Sequence, residues 1–372
     1  MGLVGFIDPI RKEAVNSIKE CLNAGIKVLM ITGDHPLTAY NVSRELKLIK
    51  KYNEVTTGDE IEKQFNLGKE EFDKFISTKK VFARVTPLQK LEIVESLKRQ
   101  GEFVAVTGDG VNDAPALRSA NIGVAMGSGS DIARETANML IVDDNFKSIV
   151  AGIKEGRVAY ANIRKIIYFL ISCGLAEVLF FCLSIISDLP MPLVAIQLLW
   201  LNVVTDGIQD FALSFERAEE NIMNEKPRNP KEALFNGSLL QEIIVSGLVI
   251  GIVVFAVWNY LINTLNMNVS LARGYIMTLM VFIQNIHVFN CRSEHKSAFI
   301  TPIKNNYLII GGVIVSVLLQ IIVMEVPFFS QALQTTKIPF IHMLILFFIA
   351  SLVLIIMEAY KLINNNIKDS KL

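Results

Sequence analysis

Six apolar segments fill the sequence from residue 161 onward, and they constrain the fold more than any other feature. They lie near 161–187, 191–213, 239–261, 272–290, 307–324 and 340–360. An α-helix needs about 20 apolar residues to cross the hydrocarbon core of a bilayer, and each segment is near that length. The whole chain is 52 % hydrophobic. We therefore predict an all-α membrane domain of six transmembrane helices over residues 148–372, embedded as a multi-pass protein in a lipid bilayer.

The charges between these segments predict their orientation. Basic residues follow the second segment (Arg217, Lys226, Arg228, Lys231), the fourth (Arg292, Lys296, Lys304) and the sixth (Lys361, Lys368, Lys371), whereas the opposite side carries only Lys337 and Arg273. Cytoplasmic loops of membrane proteins are enriched in Lys and Arg. The soluble domain and the C-terminus are therefore expected in the cytoplasm. A formal net charge of zero gives no reason to expect a nucleic-acid partner.

Residues 1–147 alternate short apolar runs with helical patterns. The runs lie at 3–7, 28–31, 81–84, 103–106, 122–126 and 139–142, while residues 50–80 are charged and predict a peripheral helical insert. Strands that alternate with helices are typical of a doubly wound parallel sheet in an α/β domain. Such sheets bind ligands beyond the carboxyl ends of their strands.

One loop that follows a predicted strand offers ligands for a metal ion. The stretch 107–117 reads Thr-Gly-Asp-Gly-Val-Asn-Asp-Ala-Pro-Ala-Leu and places Asp109, Asn112 and Asp113 after the run 103–106, which we expect to be a buried strand. Carboxylate and amide oxygens are hard ligands that suit Mg²⁺. A turn without chemistry is the alternative for a lone Gly-Asp-Gly, but not for the whole string.

Two further loops offer groups for a phosphate. Thr32 and Gly33 supply a hydroxyl and backbone amides near a helix start. Lys90, near the start of a helix predicted over 87–100, supplies a positive charge suited to phosphoryl oxygens. Taken singly, Thr32 is more simply a helix cap and Lys90 a solvated side chain. Together with Asp109 and Asp113 they predict a site for a phosphoryl group and its magnesium ion.

These loops, in this order, resemble the phosphate-handling motifs of the haloacid-dehalogenase-like phosphotransferases. The P-type ATPases of that group add two motifs, found here as Asp8-Pro9-Ile10-Arg11 and Ala83–Pro87, and the resemblance covers essentially the whole chain. It implies that residues 1–147 are the C-terminal part of a phosphorylation domain that works with Mg²⁺ and ATP. It implies catalytic roles for Thr32, Gly33, Asp34, Lys90 and Asn112, cofactor binding by the same residues with Arg84, and magnesium binding by Asp109 and Asp113.

Polar residues within the apolar segments predict a second site. Glu177 lies in the first segment, and Asn202, Thr205 and Asp206 share one helical face of the second. Carboxylates inside a membrane are costly and usually functional, so we predict a site for a dehydrated cation. Gly207 is expected to allow local unwinding there, and Gln284 is a weaker member of the site. An interhelical hydrogen-bond network without an ion is the alternative.

Other acidic residues of the apolar segments lie nearer the predicted ends. They are Asp210, Glu242, Glu325 and Glu358. Interfacial snorkelling is the prediction for all of them.

The string Gln197–Gly207 resembles the sixth span of sarcoplasmic-reticulum-type calcium pumps. The resemblance implies that Glu177, Asn202, Thr205 and Asp206 are ligands of a transported calcium ion. The sequence departs from those pumps at Gly174 and Gln284, where they carry asparagine and glutamate, and in the Ile208-Gln209-Asp210 that follows Gly207. Calcium export through an aspartyl-phosphate intermediate is thus the predicted function. A monovalent-cation pump of the sodium type is the alternative.

The motif Asp-Lys-Thr-Gly-Thr, which carries the phosphorylated aspartate in this family, does not occur in the 372 residues. The resemblance therefore implies the C-terminal part of a pump, with spans five to ten, that needs the N-terminal half as its partner. We expect the polypeptide alone to be an inactive part of an ATP-hydrolysing translocase. A non-catalytic membrane remnant is the alternative from another class.

Overall fold

A computed structural model describes residues 9–219, 221–229, 232–294 and 296–369. The chain forms two compact units, Met1–Arg157 with Glu219–Lys231, and Val158–Ala218 with Glu232–Leu372. The predicted strand 3–7, Asp8, Lys231 and Lys371 lie outside the described residues.

The first unit contains parallel strands and short helices. The strands are β1 (Met30–Ile31), β2 (Val55–Thr57), β3 (Val81–Ala83), β4 (Ala105–Gly108), β5 (Ile122–Met126) and β6 (Met139–Ile141). The helices are α1 (Lys12–Asn23), α2 (Pro36–Glu45), α3 (Gly58–Phe65), α4 (Lys69–Thr78), α5 (Pro87–Arg99), α6 (Ala114–Ser119) and α7 (Asp131–Thr136). The predicted parallel α/β architecture is confirmed.

The strands form two sheets rather than one. Their orders are β1-β3-β2 and β4-β5-β6, and every pairing is parallel. Within the described residues, β1 and β4 each pair on one side only, so both present an open edge. Lys27 and Glu102, which precede these two strands, form an ion pair that links the segments leading into the open edges.

The open edge changes the environment of β4. We expected a strand buried over 103–106, but β4 begins at Ala105, and Ala105 and Thr107 are exposed. Phe103, before the strand, is 59 % exposed. In β5, which has a neighbour on both sides, Val124 and Ala125 are buried. The burial prediction for β4, which rested on the apolar run, is wrong because β4 has a neighbouring strand on one side only among the described residues.

The region 50–80 is packed rather than peripheral. It contributes β2, which pairs with β3, and the helices α3 and α4. Ile61, Phe72 and Ile76 from these helices are buried with Phe82 of β3 in one apolar cluster. This packing could not be predicted from the sequence, because β2 has only three residues and its neighbours in the chain are charged.

The second unit is helical. Its helices are α8 (Phe146–Ile186), α9 (Ala195–Trp200), α10 (Asp206–Ser214), α11 (Gly237–Asn259), α12 (Val269–Cys291), α13 (Tyr307–Glu325), α14 (Pro327–Ala332) and α15 (Phe340–Asp369), the first of which begins within the first unit. Among the described residues, α8, α11 with its π-helical continuation, α12, α13 and α15 are long and apolar enough to cross a membrane. Five of the six predicted spans fall on these helices.

The predicted span 191–213 is helical but interrupted. Between α9 and α10, residues Leu201–Thr205 form a π-helical turn. Near it, α12 is the most buried of the five long helices, and most of its side chains lie in the core. The interrupted helix and α12 carry most of the polar residues of the second predicted site.

Candidate functional site

In the first unit, the loop after β4 is built around the side chain of Asp113. Its Oδ2 accepts hydrogen bonds from the backbone N–H groups of Asp109 and Gly110, both at 3.3 Å. Its Oδ1 lies 2.6 Å from Lys90 Nζ. Both carboxylate oxygens are thus engaged, and they fix the turn that begins α6.

Two glycines allow this close packing. A Cβ atom at Gly108 would lie 2.5 Å from Asp113 Cβ. A Cβ atom at Gly129, in the loop after β5, would lie 2.9 Å from the carbonyl oxygen of Asp109. The same carbonyl accepts the backbone N–H of Ser130 at 2.7 Å. The loop after β5 therefore supports Asp109, a contact that the motif did not predict.

The carboxylate of Asp109 is free to bind a ligand. It is exposed, and no hydrogen bond or ion pair reaches it from the part of the chain that the structure describes. Asn112 is also exposed. Magnesium is commonly held by one or two carboxylates together with substrate phosphate and water. The donors Asp109, Asn112 and Asp113 fit such an ion, with Asp109 as the most available ligand.

The loop after β1 places Thr32, Gly33 and Asp34 ahead of α2. Thr32 Oγ1 accepts the backbone N–H of Asp34 at 3.1 Å, and Gly33 is exposed. The helix cap is His35, whose Nδ1 accepts the N–H of Leu37, so the simpler interpretation of Thr32 as the cap is wrong. The hydroxyl instead holds a local turn, and a Cβ atom built at Gly33 would have no neighbour within 4 Å among the described residues.

Helix α5 connects the loops of the two sheets. Arg84, which follows β3, has φ = 50° and donates its N–H to the Asp34 carbonyl at 3.1 Å. Thr86 then caps α5 by accepting the N–H of Gln89. One turn later, Lys90 reaches Asp113. The structure thus joins Asp34 to Arg84 and Lys90 to Asp113, and no hydrogen bond between these two pairs occurs among the described residues.

In the second unit, Glu177 of α8 and Asn202 of the π-helical turn are in contact. Asn202 Nδ2 donates to Glu177 Oε2 at 3.1 Å and to the Leu198 carbonyl at 3.0 Å. The other oxygen, Glu177 Oε1, is buried and has no hydrogen-bond partner within the described ranges. The predicted pairing of polar groups from the first two spans is present here.

The π-helical turn positions the next two predicted residues. The backbone N–H of Asp206 bonds to the carbonyl of Leu201, five residues earlier. Thr205 and Asp206 are both 1 % exposed, and Asp206 Oδ1 has no partner in the described structure. We expected the helix to be irregular at Gly207. The irregularity instead comes before Gly207, because the wide turn closes at Asp206. Turns of this kind are frequent at functional sites.

Gln284 adds a buried amide on α12. It is 2 % exposed, and neither Oε1 nor Nε2 has a partner among the described residues. A buried polar atom without a hydrogen bond costs about 1–3 kcal/mol, so such atoms call for an explanation. Groups of three acidic, histidine or cysteine side chains placed to bind one metal are absent from the described ranges. A cation bound here would need neutral oxygens beside its carboxylates.

Sequence reasoning gave no role in the ion site to two polar residues of α10. Gln209 is fully buried, and Asp210 is partly buried with an unpartnered Oδ1 among the described residues. Both lie one turn after Asp206, a spacing that could have identified them. Snorkelling is the wrong interpretation for Asp210, and also for Glu242 and Glu358, which are 2 % and 5 % exposed.

Comparisons with known proteins match both units. The model for the C-terminus of cation-transporting ATPases matches residues 190–363, and the model for haloacid dehalogenase-like hydrolases matches residues 1–121. A calcium-transporting ATPase of Bacillus subtilis is 41 % identical over 91 % of this chain and 38 % of its own length. Human calcium-transporting ATPase type 2C member 1 is 33 % identical over 97 % of this chain and 39 % of its own length.

The chain spans less than two fifths of the length of these relatives. Its apolar helices and its relatives make it a multi-pass membrane protein with a haloacid-dehalogenase-like domain. The chain belongs to the P-type cation-transporting ATPase family and corresponds to its C-terminal portion.

Proposed function

We propose that this chain is the C-terminal part of an ATP-driven pump that exports calcium through an aspartyl-phosphate intermediate. The observation that carries the proposal is the set of buried, unpartnered oxygens among the described residues of the spans: Glu177 Oε1, Asp206 Oδ1 and Gln284 Oε1. A transported cation would satisfy them. With the basic loops facing the cytoplasm, residues 1–147 would meet cytoplasmic ATP and residues 148–372 would carry the ion.

Calcium takes six to eight oxygen ligands from carboxylates, amides, carbonyls and water. Glu177, Asn202, Thr205, Asp206 and Gln284 supply those chemical types, and the names of the bacterial and human relatives also support calcium. The neutral Gln284 favours the second candidate, a pump for a monovalent cation of the sodium type. Such an ion needs fewer negative charges than calcium.

The loops of the first unit would handle the phosphoryl group. Asp109, with Asn112 and Asp113, would hold a magnesium ion, which when bound would neutralise negative charge on the phosphoryl oxygens. Thr32 and the Gly33 amide would donate hydrogen bonds to those oxygens. Lys90 would place its charge beside them, while its contact with Asp113 keeps the loop in position.

Arg84 extends this site toward the nucleotide. Its side chain is exposed, while its backbone N–H is tied to Asp34. We assign it to binding ATP together with the nucleotide-binding domain of the remaining pump.

The open edges of β1 and β4 support the proposal that a partner supplies a further strand. A strand inserted between them would pair with both sheets, since parallel strands present unsatisfied N–H and C=O groups at such edges. Its carboxyl end would emerge near Thr32 and Asp109, where a phosphorylated aspartate has to lie. We propose that the N-terminal half of the pump contributes this strand.

Calcium binding to the 372-residue chain in detergent tests the ion site. Equilibrium binding of labelled calcium, with competition by sodium, is compared for the unsubstituted chain, Glu177→Gln and Asp206→Asn. Glu325→Gln is the matched control, because Glu325 lies at the end of α13 in an exposed pair with Lys337. Both site variants should lose calcium binding while the control keeps it. Unchanged binding in both site variants contradicts the proposed site, and stronger competition by sodium identifies a monovalent ion.

A further inference from the structure

Gln209 is held in a hydrogen-bonded chain that joins three helices. Its Nε2 donates to Asn285 Oδ1 at 2.7 Å, and Asn285 Nδ2 donates to Ser316 Oγ at 3.0 Å. The chain therefore runs from α10 through α12 to α13. All three side chains are buried, at 0 %, 2 % and 2 % exposure. Ordering an amide in this way fixes the direction of its remaining oxygen.

The remaining amide oxygen is an unsatisfied acceptor within the described structure. Gln209 Oε1 is fully buried and accepts no hydrogen bond from the described residues. Gly312 of α13 leaves space beside it, since a Cβ atom there would lie 3.3 Å from Oε1 and 3.5 Å from Nε2. The helices thus make room for an amide and then leave its acceptor unsatisfied. Burying such an acceptor costs stability unless a ligand completes it.

Gln209 follows one turn after the predicted ion ligand Asp206 on α10. Gln209 follows Asp206 by three residues, so their side chains share a face with Cβ atoms about 5–6 Å apart. Two oxygens that each lie about 2.3–2.6 Å from one cation are at most about 5 Å apart, and side chains on Cβ atoms at this spacing can bring their oxygens that close. Asp206 Oδ1 is also buried without a partner in the described structure.

The composition of the site requires such a neutral ligand. Within the described ranges, acidic side chains do not converge in threes on one point. A cation between Glu177 and Asp206 must therefore complete its coordination with amides, hydroxyls, carbonyls or water. Gln209 Oε1 is a preordered amide oxygen one turn from Asp206.

We propose that Gln209 Oε1 is a direct ligand of the transported cation, and that Asn285 and Ser316 position it. The proposal rests on the proposed function, since it extends the ion site of that pump. It assigns a binding role to a residue outside the set that the resemblance implied.

Calcium binding to the full 372-residue chain in detergent tests this role, with calcium itself as the probe. Gln209→Met keeps the size of the side chain but removes the oxygen, and should weaken calcium binding by about ten-fold. Gln209→Glu keeps an oxygen at this position and should bind calcium at least as tightly as the unsubstituted chain. Asn285→Leu should produce a smaller loss, because it removes only the group that positions the amide.

Gln320→Met is the matched control. Gln320 is also a fully buried glutamine in a span, but both of its amide atoms are paired: Oε1 accepts from Trp200 Nε1, and Nε2 donates to Thr278 Oγ1, each at 3.2 Å. Its substitution should lower thermal stability without changing calcium affinity. Unfolding temperatures measured without calcium separate loss of the fold from loss of the ligand.

Different results would overturn the role of Gln209 and the proposed function. Unchanged affinity in Gln209→Met, with binding abolished in Asp206→Asn, would overturn the inference and leave the proposed function standing. Equal weakening by Gln209→Met and Gln209→Glu would also overturn it, because packing rather than the oxygen would then matter. Unchanged binding in Asp206→Asn, Glu177→Gln and Gln209→Met together would remove the whole proposed site.

Discussion

Lys90 Nζ lies 2.6 Å from Asp113 Oδ1, and this contact distinguishes the carboxylate of Asp113 from that of Asp109. Asp113 uses both oxygens within the protein, on Lys90 and on the backbone amides of Asp109 and Gly110. The Asp109 carboxylate has no such partner among the described residues. Asp113 therefore shapes the loop, while the Asp109 carboxylate is left exposed for the proposed magnesium ion. The two substitutions should behave differently.

The first prediction concerns Asp109→Asn in the chain combined with the remaining half of the pump. The amide keeps the shape but removes a charge next to the metal. Phosphoenzyme formation should fall about 100-fold or more, as when a preorganised charge-stabilising group is lost. Trapping of labelled phosphate from ATP over a range of magnesium concentrations measures it. Asp59→Asn, an exposed residue of α3, is the control. A normal rate with normal magnesium dependence would remove Asp109 from this role.

The second prediction concerns Lys90→Met, which frees Asp113 Oδ1. Both side chains are largely buried, with 18 % and 14 % exposure, so losing the charge-assisted bond should cost roughly 1–2 kcal/mol of unfolding free energy. Magnesium should then stabilise the variant more than the unsubstituted chain, since a second carboxylate becomes available. Thermal unfolding with and without magnesium measures both effects. A smaller magnesium shift than in the unsubstituted chain would show that Lys90 does not compete with the metal.

The sequence predicted those features best that depend on neighbouring residues in the chain. The loops after β1 and β4 could be predicted because glycine and aspartate clusters end apolar runs, and five spans could be predicted from length alone. The environment of β4 could not, because an edge depends on which strands lie beside it. The role of Gln209 could not be predicted for a similar reason, since it depends on a hydrogen bond to Asn285, which lies far away in the sequence.

The third prediction concerns the buried ion pair between Arg292 and Glu216. Both side chains are 2 % exposed, and two bonds of 2.8 and 3.2 Å join them. Among the described residues, Arg292→Met leaves the buried carboxylate with Asn306 Nδ2, at 3.1 Å, as its remaining side-chain partner, which should destabilise the unit by about 3–5 kcal/mol. Adding Glu216→Gln should recover much of this loss. Thermal unfolding in detergent measures both, with the exposed Lys304→Met as control. Equal stability of Arg292→Met and the control would contradict the prediction.

The fourth prediction concerns pH and Glu54, which precedes β2. The backbone N–H of Lys50, and then Lys80 Nζ at 2.9 Å, lower the pKa of Glu54 from 4.5 to about 2. A lowered folded-state pKa adds stability above the unfolded value, and this stability is lost as pH falls from about 4.5 toward 2. In Glu54→Gln, hydrogen exchange over 50–57 should be faster at pH 7 and should change less on acidification over that range. Glu62→Gln, exposed on α3, should behave like the unsubstituted chain.

The last prediction concerns the polypeptide alone. Asp109 and Asp113 are assigned to the metal, and Asp34, in the loop after β1, follows Thr32 and Gly33 rather than preceding a Lys-Thr-Gly-Thr sequence. The purified chain should therefore form no acid-stable phosphoenzyme. Adding the half that carries Asp-Lys-Thr-Gly-Thr should restore it, and should slow hydrogen exchange at the open edge of β4 but not in β5, which is already paired on both sides. Phosphoenzyme from the chain alone that disappears in Asp34→Asn would contradict this. Slower exchange without phosphoenzyme would instead favour a non-catalytic remnant.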